Sequence, residues 1–297
     1  MIYYFIRDYH SKRWTIEVMC TVLKVSRGSY YRWLKEPVGK RKQVYMELDQ
    51  KIKKAYFQAK GRNGSPRLAK DLKISGTLVP RNTVARHMRQ MGLRSTISKR
   101  FKVTTDSAHN YAVAPNILNR EFFSDEPAKA CVSDITYIPC LDGFLYLTAV
   151  LDLFDRKVIG WSISDSMSAL STVIPAIRMA NRNRTFSKGM IFHSDRGVQY
   201  ACKQTVNVLK SLNACQSMSR KGNCWDNAVA ESFFKTLKSE LVYGTKMKSK
   251  EDMSLYVFEY IEAWYNHKRR FSYLDFQTID EFWNMYRAKN DLINNVA

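Results

Sequence analysis

Three acidic residues stand where an acidic residue is costly. Asp134 lies inside the apolar run Cys131-Val132-Ser133-Asp134-Ile135-Thr136-Tyr137-Ile138. Asp195 closes Met190-Ile191-Phe192-His193-Ser194-Asp195. Glu231 lies in the amphipathic stretch Asn227-Ala228-Val229-Ala230-Glu231-Ser232-Phe233-Phe234-Lys235. A carboxylate placed among apolar neighbours is unfavourable unless its charge is compensated. A divalent cation shared by all three would compensate them together. Hard oxygen ligands suit Mg2+, and Mn2+ equally well. Paired ions of this kind clamp the attacking and leaving oxygens of an in-line displacement at phosphorus. The chemistry indicated is therefore that of phosphodiesters.

The neighbours of the three acids extend this reading. Lys235 and Lys238 follow Glu231 by four and seven residues and share its helical face, with Asn227 one turn earlier. Ala230, Phe233, Phe234 and Leu237 cover the other side. The spacing predicts that the apolar side packs on a sheet while Glu231 reaches a metal and the lysines reach phosphates. Taken alone, Glu231 and Lys235 read better as an exposed i,i+4 ion pair, the commonest fate of such residues; only the arrival of Asp134 and Asp195 in the right element order overturns that reading. His193, two residues before Asp195, shares its side of an extended strand. It is either a supporting, proton-handling group or a satisfied core histidine. Gly197 offers a backbone turn that other residues resist. Asp142, Asp152, Asp155 and Asp165 fall in turns, where aspartate serves backbone hydrogen bonding, and no chemistry is expected of them.

The elements that must carry these residues follow from periodicity and turn chemistry. Cys131–Pro139, Phe144–Leu151 and Lys157–Ser164 read as strands joined by hairpins. Leu170–Asn181 reads as a helix, Met190–His193 as a short buried strand and Lys203–Leu212 as a helix. Ala214–Met218 is a further short apolar run. Asp226 is expected to cap a helix from Asn227 to about Leu241, and Glu251–Trp264 and Asp280–Lys289 are helical. Three antiparallel strands followed by alternating helix and strand is the order of a ribonuclease-H-like mixed α/β sheet. That order places Asp134 on the first strand, Asp195 just after the fourth and Glu231 on a later helix, near strand ends where ligands bind.

Upstream, the chain reads as short helices. Ile16–Leu23 and Ser29–Lys35 are separated by a break at Lys24–Gly28. A stop at Glu36–Gly39 and the basic run Lys40-Arg41-Lys42 precede a helix over Val44–Lys60. Ser65-Pro66 opens a helix to about Leu72, and Asn82 or Thr83 opens one to about Met91. Helix, turn, helix with Arg86, His87 and Arg89 on the last is compatible with a helix-turn-helix, weighed against a plain three-helix bundle. The expected organisation is a basic helical helix-turn-helix region over 1–94, a linker over 95–128, a catalytic core over 129–245 and a helical extension over 246–297.

Charge supports a polyanionic partner. The chain carries a net +21, and residues 1–110 hold 25 Lys and Arg against 7 Asp and Glu, while residues 111–297 hold 23 against 20. So one-sided a field attracts nucleic acid. No stretch has the length of a membrane span, and the first residues do not resemble a secretory leader. The six cysteines form no C-x-x-C pair, which fits a reducing cytoplasm better than a disulfide framework or zinc site.

At this level the residues become recognisable. Ser133–Ile138, His193-Ser194-Asp195-Arg196-Gly197-Val198-Gln199-Tyr200 and Ser217–Phe234 resemble the motifs of bacterial insertion-sequence transposases. More narrowly, the chain resembles the OrfB catalytic part of the copy-out/paste-in DDE group, whose core is related to retroviral integrases. The resemblance implies that Asp134, Asp195 and Glu231 are a metal-binding catalytic triad using two magnesium ions. It implies hydrolysis at a transposon end and attack of the freed 3′-hydroxyl on another phosphodiester. It implies transposon-end and target DNA as partners, a homodimer or higher synaptic oligomer, an OrfA partner, and a cytoplasmic, nucleoid-associated location. His193 and Asn227 would support the site. DNA contacts are expected from Arg81, Arg86, Arg89, Lys99, Arg100, Arg196, Arg220, Lys221, Lys235 and Lys238. The chain departs from the group's pattern at Cys131, where tryptophan is common, at Phe271, where histidine is common, and at Asp275, where glycine is common; the proline that commonly follows is also missing at Thr278–Asp280. Two other readings are a ribonuclease-H-like nuclease without strand transfer and a DNA-binding regulator with an inactive core.

Overall fold

The computed structural model describes residues 1–11, 13–36, 38–96, 111–243 and 246–294. Two compact units emerge, Met1–Ser95 and Thr96–Ala297. The first is entirely helical: α1 (Ile2–Tyr9), α2 (Ile16–Val22), α3 (Arg27–Lys35), α4 (Lys40–Gln58), α5 (Ser65–Ile74) and α6 (Arg81–Gln90). Sequence periodicity misses α1, and the basic run at Lys40 begins α4 rather than a loop. The unit holds two separate apolar clusters. Ile6, Met19, Cys20 and Tyr30 join α1–α3, while Ile52, Leu68, Leu72, Val84 and Met88 join α4–α6. Each is the small core that a three-helix arrangement of amphipathic segments buries.

The second unit is built on five strands, β1 (Ala130–Cys140), β2 (Gly143–Asp152), β3 (Val158–Ser164), β4 (Ile191–Ser194) and β5 (Cys215–Met218), in the order β3-β2-β1-β4-β5. β1 and β2 pair antiparallel, with Asp134 opposite Ala149, and β3 continues the meander. β4 joins β1 in parallel, with Val132 opposite His193, and β5 joins β4 in parallel. The ribonuclease-H-like order expected from the sequence is therefore present.

Helices α7 (Val173–Asn183), α8 (Val198–Ala201) and α9 (Lys203–Ser211) complete the parallel half. Gly160 lets α7 pack tightly on β3, since a Cβ there would lie 2.2 Å from the Ala176 carbonyl oxygen. The core beneath runs through Cys131, Val150, Ile159, Ile177, Phe192 and Tyr200. Cys131 thus fills a fully buried position and contacts the Met190 sulfur at 3.7 Å.

After β5 comes a short 3-10 turn, Cys224–Asn227, then α10 (Ala228–Leu237), a π-helical turn over Lys238–Val242, α11 (Lys250–Phe258), a second π-helical turn over Glu259–Tyr265, and α12 (Ile279–Asn294). The C-terminal elements pack on the sheet unit. Asn266 exchanges hydrogen bonds with both backbone groups of Val158, and the Trp283 indole donates to Asp155 at 2.5 Å. Residues 111–128, expected to act as linker, lie in this unit too; Leu118 is buried, and the Ile117 and Leu118 amides donate to the Ser217 hydroxyl. No helix among the described residues is long and apolar enough to cross a membrane.

Candidate active site

Asp134 is carried by the middle of β1, Asp195 by the residue after β4, and Glu231 by the first turn of α10. All three are half-buried. The Asp134 carboxyl is pushed well above the usual carboxylate range, first by burial, then by Asp195 and more weakly by Glu231; the Ile135 amide and Lys238 oppose the shift. Glu231 is itself raised by burial alone. The stronger electrostatic coupling therefore joins Asp134 to Asp195. Among the described residues no three acids, histidines or cysteines are spaced to share one metal ion.

Local hydrogen bonds fix the two aspartates. Asp134 accepts from its neighbour's amide, Ile135, at 2.8 Å, and Asp195 accepts from the Gly197 amide at 2.9 Å. Gly197 has ordinary backbone angles, φ −59° and ψ 143°. Its lack of a side chain matters for space: a Cβ would lie 3.0 Å from the Asp195 carboxylate. Tyr200 and Ser133 share a buried hydroxyl–hydroxyl bond of 2.8 Å behind Asp134, and the Tyr200 phenol is raised by burial and by both aspartates.

Asn227 ties the strand to the helix. Its amide nitrogen donates to the Ser133 carbonyl at 3.1 Å, one residue from Asp134 and one turn before Glu231. Its carbonyl oxygen is buried without a hydrogen-bond partner. Lys238 lies over the Tyr137 ring at 4.6 Å, an arrangement that attracts a cation to the ring face. Burial lowers its ammonium and Asp134 raises it. Lys235 is exposed on the same helix.

His193 takes a different place from the carboxylates. It is fully buried, with Nδ1 2.9 Å from the Ser217 hydroxyl and Nε2 3.2 Å from the Ser219 hydroxyl. Ser217 already accepts two backbone amides, so its hydroxyl proton goes to Nδ1, and Nε2 carries the ring proton toward Ser219. Burial lowers the imidazole to about 4, against a smaller opposing effect from Asp226. Neutral His193 is a core cross-link from β4 to Ser217 on β5 and Ser219 just after it.

Asp226 does not cap α10. It is fully buried and receives Arg220 through Nε and the second guanidinium nitrogen at 2.8 and 2.7 Å, the Arg220 amide at 2.9 Å, Arg120 at 2.7 Å and Asn116 at 3.0 Å. Arg220, expected at DNA, is therefore held by this carboxylate, although its side chain stays about half exposed. Arg196 donates to the Ser219 carbonyl at 2.5 Å, and Lys221 is exposed. In the helical unit Arg81, Arg86 and Arg89 are exposed on α6. His87 is instead buried and bonded to Asp49 at 2.7 Å. Lys99 and Arg100 lie outside the described residues.

Sequence reasoning overlooked the buried charges that hold this scaffold. Arg184 binds Asp152 at 2.6 Å and Asp155 at 3.0 and 2.5 Å. Glu240, on the first π-helical turn, accepts from Tyr260, Trp264 and Arg269 on and after the second. Arg269 is packed against the Tyr265 and Phe271 rings. Phe271 is thus a buried packing residue.

An α/β sheet of this order, with acids on β1, after β4 and on α10, defines the class of polynucleotidyl transferases with an integrase-type core. Comparison with known proteins agrees. Residues 124–224 and 231–288 each match an Integrase core domain, and residues 45–101 match an HTH-like domain. The chain is 38% identical over 286 residues to Transposase InsF for insertion sequence IS3A of Escherichia coli (strain K12), spanning 96% of this chain and 99% of that one. It is 37% identical to the Insertion element IS600 uncharacterized 31 kDa protein of Shigella sonnei, over 86% of this chain and 94% of that one. The chain belongs to the IS3 family of insertion-sequence transposases. Among solved structures, the catalytic core domain of BIV integrase matches at TM-score 0.38 and 17% identity, covering 55% of this chain and 98% of that one. The catalytic domain of Mos1 mariner transposase matches at TM-score 0.40 and 16% identity, covering 46% and 71%.

Proposed function

We propose that this chain cleaves the DNA ends of an insertion element and joins the freed 3′-hydroxyl to target DNA, with Asp134, Asp195 and Glu231 as metal ligands. The observation that carries the reading is the charge around Asp134. A half-buried carboxylate raised first by burial and then by two further carboxylates is an environment that a divalent cation relieves. The donor set is all carboxylate oxygen, which fits magnesium, and two ions suit the displacement. When bound, such ions stabilise the attacking and leaving oxygens.

The remaining work falls to the chain's own groups. Asn227 holds α10 to the strand bearing Asp134, so that Glu231 is presented one turn on. Lys238, steadied on Tyr137, supplies a fixed cation beside Asp134, and exposed Lys235 offers a second toward the DNA backbone. Gly197 leaves space for the Asp195 carboxylate that its own amide holds. Residues 1–94 serve as the DNA-docking region, 129–245 as the catalytic core and 246–297 as its C-terminal extension. The working form pairs two element ends in a dimer or larger assembly, with OrfA as a partner, on cytoplasmic, nucleoid-associated DNA.

The test incubates the protein with a labelled duplex carrying the element's terminal sequence, a plasmid target and magnesium. Nicking followed by joining is expected, and Asp195→Asn should abolish both. Nicking without joining would leave a nuclease. Unchanged joining by the variant would overturn the assignment of the triad.

A further inference from the structure

One segment of the helical unit has a local geometry of its own. α2 and α3 are joined by the four residues Leu23–Ser26, and the turn is tightly made. Lys24 adopts a left-handed φ of 53°, and the Val25 amide returns to the Cys20 carbonyl at 2.9 Å. Thr15 caps α2 by accepting from the Val18 amide, and Ser26 caps α3 by accepting from the Ser29 amide. Glu17 on α2 binds Arg27 at the start of α3 at 2.9 Å. Tyr30 and Trp33 turn inward to the Ile6, Met19 and Cys20 cluster. Two short helices, a compact turn and a core of their own are what a helix-turn-helix requires. The segment lies before the residues that match the HTH-like domain, which begin at 45.

The outward face of α3 carries Arg27, Gly28, Tyr31, Arg32 and Lys35, all exposed and at helical spacing. α3 has no acidic residue, and residues 1–35 hold seven Lys and Arg against two Asp and Glu. Gly28 is the second observation. A Cβ there would meet only the Ser26 hydroxyl, at an ordinary 3.7 Å, so the fold has room for a side chain. Glycine is a poorer helix former than alanine, and nothing in the packing around Gly28 calls for it. A bare position on the basic face suits close approach of a ligand to the helix backbone.

We propose that α3 is a second DNA-reading helix, entering the major groove of duplex DNA with Tyr31, Arg32 and Lys35 and admitting the groove wall at Gly28. It adds a contacted block of sequence to whatever α6 reads. The inference rests on the DNA-handling role proposed above.

The experiment selects binding sequences from a pool of randomised duplexes with the full chain, then measures affinity for the selected duplex across salt. Wild type should enrich two separate blocks of sequence. The Arg32→Ala/Lys35→Ala variant should lose one block, bind about tenfold more weakly, and show a salt dependence shallower by about two in the log–log slope. Arg86→Ala/Arg89→Ala should lose the other block. Gly28→Gln should lose the same block as the α3 double variant while its thermal midpoint does not fall, which separates DNA approach from folding. Variants of α3 that enrich both blocks at wild-type affinity overturn the inference and leave metal-dependent cleavage untouched. A wild-type chain that retains no duplex overturns both.

Discussion

Two sets of buried or half-buried carboxylates in the same unit are treated in opposite ways. Asp152, Asp155, Asp226 and Glu240 are buried, and each meets an arginine: Arg184 for the first two, Arg120 and Arg220 for Asp226, Arg269 for Glu240. Asp134 meets two further carboxylates and one lysine instead. The fold places a guanidinium beside its structural acids but sets Asp134 among like charges, which is why a cation from solution is proposed there. The difference separates acids that hold the sheet together from acids that are kept electrostatically expectant.

The largest effect should come from neutralising the second set. Asp134→Asn keeps the side-chain oxygen that accepts from Ile135 but removes the charge. Strand transfer should fall by on the order of 10³, the scale of a few kcal/mol of lost metal-borne transition-state stabilisation. Without added metal the same variant should unfold at a higher denaturant concentration than wild type, because the folded state disfavours that charge. A variant less stable than wild type would put Asp134 with the structural acids and dissolve the comparison.

Neutralising the first set should do the reverse. Asp155→Asn leaves Arg184 buried with half its partners gone and weakens the acceptor of the Trp283 indole. Removing one member of a buried pair costs about 3–5 kcal/mol. Urea unfolding monitored by tryptophan fluorescence should show a loss of that order, and a change under about 1 kcal/mol would mean the pair is as dispensable as a surface one.

Acid should discriminate the sets as well. Arg220, the Arg220 amide and Arg120 hold Asp226 far below the usual carboxylate range. A depressed folded value means the stabilisation is complete above the unfolded value, about 3.9, and drains away as pH falls below it. Asp134 is raised, so its protonation relieves the fold as pH falls. Metal-free wild type should therefore lose up to about 2 kcal/mol between pH 4 and pH 2 through the Asp226 hub. Asp226→Asn, less stable at neutral pH, should show a flatter profile across that window.

How far the sequence discloses this follows from what each residue needs from its neighbours. The hairpin strands are legible within a residue or two because alternation and the Asp142-Gly143 turn are local. Asp134, Asp195 and Glu231 stand out because an acid in an apolar run is a local anomaly. Asp152 and Asp155 give no such signal: an aspartate in a turn looks the same whether it faces water or an arginine thirty residues on. Glu240 and Arg269 are hidden for the same reason, and the two π-helical turns that bring them together shift the helical register without marking the sequence. His193 is legible as an anomaly but not in its role, which depends on Ser217 and Ser219 arriving from β5.

A third kind of acid sharpens the contrast at the small end of the scale. Asp275 is exposed and adopts φ 50° and ψ 41°, and Phe276 follows at φ 59°. The left-handed region penalises a side chain by about 1–2 kcal/mol, somewhat less for aspartate, and glycine adopts it freely. Glycine is the common residue at this step in the pattern the chain resembles, so Asp275 occupies a glycine's backbone. The turn persists because Arg270 donates to the Phe276 carbonyl and Phe271 bridges Gln277 on either side of it. Asp275→Gly should raise stability by about 0.5–1 kcal/mol in thermal unfolding and leave strand transfer unchanged. Among the described residues this acid forms no ion pair. A drop in strand transfer with stability intact would instead show that its charge acts on DNA, and would move the C-terminal turn from scaffold to binding surface.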